Sequence, residues 1–163
     1  MKYIDIQDVE IYKQDRDMSE EEREAFLLNF KPNPEKTALG FLVIGGAFGE
    51  GIDLVSDRLI GAIIIGIGIP KINFRSNKIA EYFVNNEMPG HDYAYLNPGM
   101  NKVMQAVGRV IRSEDDRGAV LLIDERYLYK QYRELYREEW DGYKVVLSPK
   151  EVEQILSKFF ENQ

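Results

Sequence analysis

Short aliphatic runs alternate with amphipathic stretches along the chain. Val9–Tyr12 is a short β-type run. Ser19-Glu20-Glu21-Glu22 opens a helix: Ser19 is placed to cap, Glu22 holds the capping-box position, and acids in the first turn suit the helix dipole. Ala25, Phe26, Leu27, Leu28 and Phe30 supply its buried face, and Lys31-Pro32-Asn33-Pro34 stops it. Ala38–Ile44 is a second strand, followed by the glycine-rich segment Gly45–Gly51. Leu59–Ile65 is a third strand and begins the longest apolar stretch, Leu59–Pro70, which is too short to span a bilayer and reads as buried. Asn73–Asn86 reads as a helix that stops before Pro89-Gly90. Asn97 followed by Pro98 predicts a cap with proline at the first helical position, and this helix runs to about Arg112. Gly118–Asp124 is a strand, Leu128–Trp140 a helix and Tyr143–Leu147 a last strand, before Ser148-Pro149-Lys150-Glu151 caps a C-terminal helix. Strands alternating with helices predict an α/β fold, with a mainly parallel sheet covered on both faces. No repeat, low-complexity tract or linker divides residues 1–163, so one domain is expected.

Composition narrows the chemistry. The 163 residues are 44% apolar and 30% charged, ordinary for a globular chain that can bury a core without staples. The absence of cysteine removes disulfides, iron–sulfur clusters and thiolate zinc sites, and a single histidine leaves little for a histidine-based metal site. Acids outnumber bases 28 to 21, and the net charge of −7 opposes the coating of a duplex or an anionic membrane. No signal-peptide pattern follows Met1, so a cytoplasmic setting is expected.

Four segments are candidates for chemistry. Gly45-Gly46-Ala47-Phe48-Gly49-Glu50-Gly51-Ile52-Asp53-Leu54 follows a strand, where α/β sheets bind ligands, and its glycines let backbone N–H groups approach phosphate. Glu50 and Asp53 suit a cation or sugar hydroxyls. The segment matches neither Walker A nor GxGxxG. On the glycines alone, a strained turn whose acids cap nearby amides is favoured. In Gln105-Ala106-Val107-Gly108-Arg109-Val110-Ile111-Arg112, helical spacing brings Gln105, Arg109 and Arg112 within roughly 60° of one another. Val103, Ala106, Val107, Val110 and Ile111 take the opposite side. One amide beside two guanidiniums suits a transferring phosphoryl group, with a solvated salt-bridged face as the even alternative. Gly108 costs helix stability and permits close approach of another backbone or a ligand. Ala119–Ile123 ending in Asp124-Glu125 imitates a Walker B strand, but without a P-loop a buried strand with a charged exit turn is the better reading. In Tyr127–Trp140 aromatics alternate with bases, which suits nucleic-acid stacking, yet Leu128, Tyr132, Leu135 and Tyr136 have the spacing of a packed helix face, and packing is favoured. His91 reads as a surface residue.

Two of these segments, in this order, resemble a known family. Residues 45–54 look like motif V of superfamily 2 helicases of the DinG/XPD type, and Gln105–Ser113 look like their motif VI. Asp116 and Gly118, then Asp124 and Arg126, match the D-x-G and D-x-R that follow motif VI in that family, and Tyr93–Lys102 is also family-like. The resemblance implies a RecA-like three-layer domain, the second motor lobe of an ATP-dependent DNA helicase. It implies that Arg109 and Arg112 contact the γ-phosphate of ATP, one as arginine finger, that Gln105 positions or senses that phosphate, and that Glu50, Gly51 and Asp53 couple the nucleotide to single-stranded DNA. It further implies a first RecA-like lobe as partner, bringing Walker A, a DEAH-type box and Mg²⁺. The chain alone is expected to hold no cofactor, no metal and no ATPase activity. The strand of motif IV, expected before Val9, is missing from the pattern, so an N-terminally truncated lobe is expected, with a bare sheet edge over which two copies pair. The competing expectation is a non-catalytic nucleotide- or protein-binding module that reuses this lobe.

Overall fold

A computed structural model describes residues 8–46, 48, 54, 58–111 and 116–161. Strand β1, Val9–Lys13, pairs in parallel with β2, Thr37–Phe41, with Val9 opposite Thr37 and Lys13 opposite Phe41. Parallel neighbours need a crossover, and helix α1, Glu20–Leu27, supplies it. The predicted capping box is present: Ser19 Oγ accepts from the Glu22 amide at 3.2 Å, and the Glu22 carboxylate accepts from the Ser19 amide at 2.7 Å. The face that α1 buries is narrower than its sequence suggests. Phe26 is buried, as is Phe30 just beyond the helix, whereas Ala25 is exposed and Leu28 is 68% exposed. The helix ends at Leu27, which packs partly buried against the cluster that holds the Phe26–Phe30 pair, four residues apart. Gly40 makes room for that pair, since a β-carbon there would lie 2.8 Å from Phe30 Cζ. Phe48 and Leu54 complete this small core.

The second pair of strands is β3, Gly61–Ile65, and β4, Ala119–Ile123, again parallel, with Gly61 opposite Ala119 and Ile65 opposite Ile123. The connection holds α2, Phe74–Asn85, capped by Asn73, whose Oδ1 accepts from the Ser76 amide at 2.9 Å. A longer helical stretch from 90 to 107 follows, π-helical over Asp92–Leu96 and then α-helical as α3, Asn97–Val107. Ile64 on one face of the strand pair meets Leu96, Met100 and Val103 of this helix together with Tyr127 and Tyr132, forming the main core. After β4 come a short α4, Lys130–Arg133, and the C-terminal α5, Pro149–Glu161. In α5 the predicted cap forms: Ser148 Oγ accepts from the Glu151 amide at 3.3 Å.

The α/β class and parallel pairing agree with the pattern, but several elements differ. Among the described residues the strands form two separate two-stranded sheets rather than one. The Leu59–Ile65 run is buried on one face only: Ile64 is buried, but its neighbour Ile65 is 76% exposed. Asn97 is not an N-cap, because the helix starts a turn and a half earlier and passes through it. Pro98 lacks an N–H to close the usual ring, and the Asn97 amide instead reaches back five residues to the Asp92 carbonyl. At the other end α3 stops at Val107 rather than Arg112. The Leu128–Trp140 helix is broken into two 3₁₀ turns flanking α4. The Tyr127 carbonyl, which a continuous helix would give to residue 131, accepts instead from Tyr136 Oη at 2.9 Å. Tyr143–Leu147 forms no strand among the described residues and is largely exposed. No helix among the described residues is long and apolar enough to cross a membrane.

Candidate functional site

The glycine-rich segment begins as a tight turn. The Gly46 amide donates to the Val43 carbonyl at 2.9 Å, and Gly45 has φ of +71°, a conformation that side chains resist. Two elements hold the turn. Gln14, just past β1, accepts from the Val43 amide through Oε1 at 2.9 Å. Lys102, from α3, lays its stem across Gly45: a β-carbon there would sit 2.7 Å from Lys102 Cδ and 2.9 Å from Cε. The Lys102 ammonium donates to the Gly68 carbonyl at 3.2 Å, so one side chain spans the loops after β2 and β3. Further along, Phe48 and Leu54 are buried, and Phe48 packs against Phe26 with ring centroids 4.9 Å apart. The segment is thus anchored by apolar side chains within it. Glu50, Gly51 and Asp53 lie outside the described residues.

Gln105 is exposed on the last turn of α3, three residues beyond Lys102 and therefore its neighbour on the helix surface. Arg109 follows the helix end in two tight turns, in which its amide donates to the Ala106 carbonyl at 3.2 Å and that of Val110 donates to Val107 at 3.0 Å. The single helical face drawn through Gln105, Arg109 and Arg112 therefore holds only to Val107, and Arg112 lies outside the described residues. Val110 is buried while Ile111 is 49% exposed, which removes Ile111 from the aliphatic side. Among the described residues Gly108 does not serve close approach of another backbone: a β-carbon would meet only carbonyls of its own helix, Met104 at 3.3 Å and Gln105 at 3.7 Å. Gly118 does, because it lies directly against Val110 Cγ1 and its β-carbon would be 3.2 Å from the Ile60 carbonyl oxygen.

Asp124 and Arg126 form a closed unit. Asp124 Oδ1 accepts from the Arg126 amide at 3.0 Å and from Nε at 2.8 Å, while Oδ2 accepts from the terminal guanidinium nitrogen at 2.7 Å. These bonds hold the Asp124 carboxyl below the usual carboxylate range and raise the Arg126 pKa. The fork caps the 3₁₀ turn Glu125–Leu128 and leaves Asp124 committed to structure, as the charged-exit-turn reading expects. Tyr127 is buried, donates to the Gly66 carbonyl at 2.7 Å, and has its phenol pKa pushed up chiefly by burial. Tyr132 is buried too, so packing accounts for much of Tyr127–Trp140. His91 is exposed, and no group of three metal-ligating side chains occurs among the described residues.

Sequence reasoning missed Lys102 and Gln14, since both act by reaching a turn distant in sequence. It also missed Arg58, whose Nε donates to the Phe30 carbonyl at 2.7 Å at the end of α1.

Comparison with known proteins follows the same segments. Residues 2–143 match the family model described as the helicase C-terminal domain. The ATP-dependent DNA helicase DinG of Photobacterium profundum is 32% identical over 132 residues, covering 78% of this chain and 19% of that protein. The ATP-dependent DNA helicase chl-1 of Caenorhabditis elegans is 38% identical over 101 residues, 60% of this chain and 12% of that protein. The chain thus spans less than a fifth of the length of these relatives. Among solved structures, one titled as apo XPD superposes with a TM-score of 0.59 at 23% identity, over 76% of this chain and 25% of the other, a likeness of fold. With its glycine turn gripped by the helix that carries Gln105, and with a family match running from residue 2 to residue 143, the chain belongs to the helicase C-terminal domain family.

Proposed function

We propose that this chain works as the second motor lobe of an ATP-dependent DNA helicase, completing an ATP site whose Walker A and DEAH-type box belong to a first RecA-like lobe. The observation that carries the reading is the convergence at α3: one helix grips the glycine turn through Lys102 and presents Gln105 and then Arg109 at its end. In this reading Arg109 and Arg112 neutralise charge on the γ-phosphoryl group as water attacks phosphorus and the bond to the bridging oxygen breaks, and Gln105 senses or positions that group. Glu50, Gly51 and Asp53 pass the state of the nucleotide to the bound single strand. An amide and guanidiniums fit an anionic phosphate rather than a metal ion, so Mg²⁺ falls to the first lobe's carboxylates. We also propose that two copies meet at the open edges of the β3–β4 pair, whose strands pair only with each other among the described residues.

The test is steady-state ATP hydrolysis by this lobe joined to a first RecA-like lobe. Arg109→Ala and Arg112→Ala are expected to lower kcat by about 10³–10⁵-fold at the finger position, the range seen for arginine fingers in GTPases. Rates near wild type in both variants would refute the assignment.

A further inference from the structure

One side of α2 packs on the chain: Ser76 is buried, Asn77 Oδ1 accepts from Tyr95 Oη at 2.7 Å, and Phe83 stacks on Tyr93 with centroids 4.0 Å apart. Its outer side is unlike an ordinary solvated helix face. Phe74 is 78% and Tyr82 62% exposed, with Arg75, Lys78 and Ile79 between them along an open groove. Both charged residues lining the groove are cations, although the whole chain carries −7. Lys78 is partly neutralised by Glu81 at 2.6 Å and lies 6.0 Å from the Phe74 ring centroid. Arg75 makes no ion pair among the described residues.

Exposed aromatic rings in such a groove mark an interaction surface. The charges select the occupant. An apolar protein segment would leave Arg75 without counter-charge, whereas a polyanion with flat bases satisfies rings and cations together. Phe74 and Tyr82 are separated by about 12 Å along the axis, at about 1.5 Å per residue, which gives room for more than one base.

We propose that this face of α2 binds single-stranded nucleic acid, with bases against Phe74 and Tyr82 and phosphates on Arg75 and Lys78. The inference rests on the helicase reading above and locates a strand contact outside the segments of motifs V and VI. Its test uses the full 163-residue chain and a fluorescein-labelled oligothymidylate, followed by anisotropy over a range of salt concentrations. Binding is expected to be micromolar at low salt and weaker at physiological salt. Phe74→Ala and Tyr82→Ala should each weaken it at least about five-fold, the low end for base–aromatic stacking. Arg75→Ala should reduce the slope of log K against log salt by about 0.7, one phosphate contact. An abasic strand of equal length should bind less tightly than oligothymidylate. The proposal is overturned by absent binding at low salt, by unchanged affinity in both aromatic variants with native circular dichroism, or by equal binding of the abasic strand. It is also overturned if polyglutamate competes as well as oligothymidylate, or if the aromatic variants alter only self-association. Loss of this contact leaves the helicase reading to be judged separately, by hydrolysis in the Arg109→Ala variant.

Discussion

Lys102 lies across the α-carbon of Gly45, close enough that a β-carbon there would be 2.7 Å from Lys102 Cδ. The contact joins the turn that opens the motif V segment to the helix that leads into motif VI. Gly45 is needed twice, for its φ of +71° and for the space the lysine stem fills.

Gly45→Ala should therefore destabilise the chain by about 1–3 kcal/mol, combining the cost of a left-handed non-glycine residue with overpacking. Lys102→Ala in the same chain should restore the packing part and leave the backbone part. Urea unfolding of the two single variants and the double variant gives the coupling. Additive losses would mean that the side chain moves aside at no cost.

The Asp124–Arg126 fork predicts a particular acid response. The folded pKa of Asp124 is lowered by its bonds to Arg126, so its contribution is full above the unfolded carboxyl pKa, about 3.9, and is lost as the pH falls through the lower folded value. Asp124→Asn should cost about 1–2 kcal/mol at neutral pH, through the loss of charge-assisted bonds, and the gap between wild type and variant should narrow as the pH falls below the unfolded carboxyl value. Thermal melts between pH 2 and pH 7 check this. A constant gap down to pH 2 would contradict it.

The chain alone should not turn over ATP. Gln105 and Arg109 offer groups for a transition state, but the sequence carries no Walker A loop to cradle the triphosphate. A phosphate-release assay should read at the buffer rate. Steady hydrolysis abolished by Arg112→Ala would place a complete site within these residues.

Self-association should rise with concentration. Ile65 projects from the outer face of β3 at 76% exposure, and β3 and β4 pair only with each other among the described residues. Such a strand pair offers both an apolar face and unpaired backbone groups. Sedimentation across a concentration series should show dimer, and Ile65→Lys should reduce it. A monomer at high micromolar concentration would argue against the contact.

Local signals in the sequence were sufficient wherever the deciding interaction spans three or four residues. Ser19 with Glu22 and Ser148 with Glu151 are such cases, and both caps form. The alternation of strands and helices likewise implied the parallel pairing, and the motif V and VI segments fixed the family. Tertiary structure decided what periodicity cannot encode. The Leu128–Trp140 pattern is helical in spacing, but Tyr127 and Tyr136 take hydrogen bonds that break the helix, because burying a tyrosine ring requires a partner for its hydroxyl. The run ending at Ile65 is uniformly apolar, yet only one of its faces meets the helix of Met100 and Val103. Lys102 reads in sequence as an ordinary helix lysine. Its place over Gly45 arises only when the loops after β2 and β3 are brought to the same helix, since a single flexible stem can then fill the space above one glycine and satisfy the carbonyl of another.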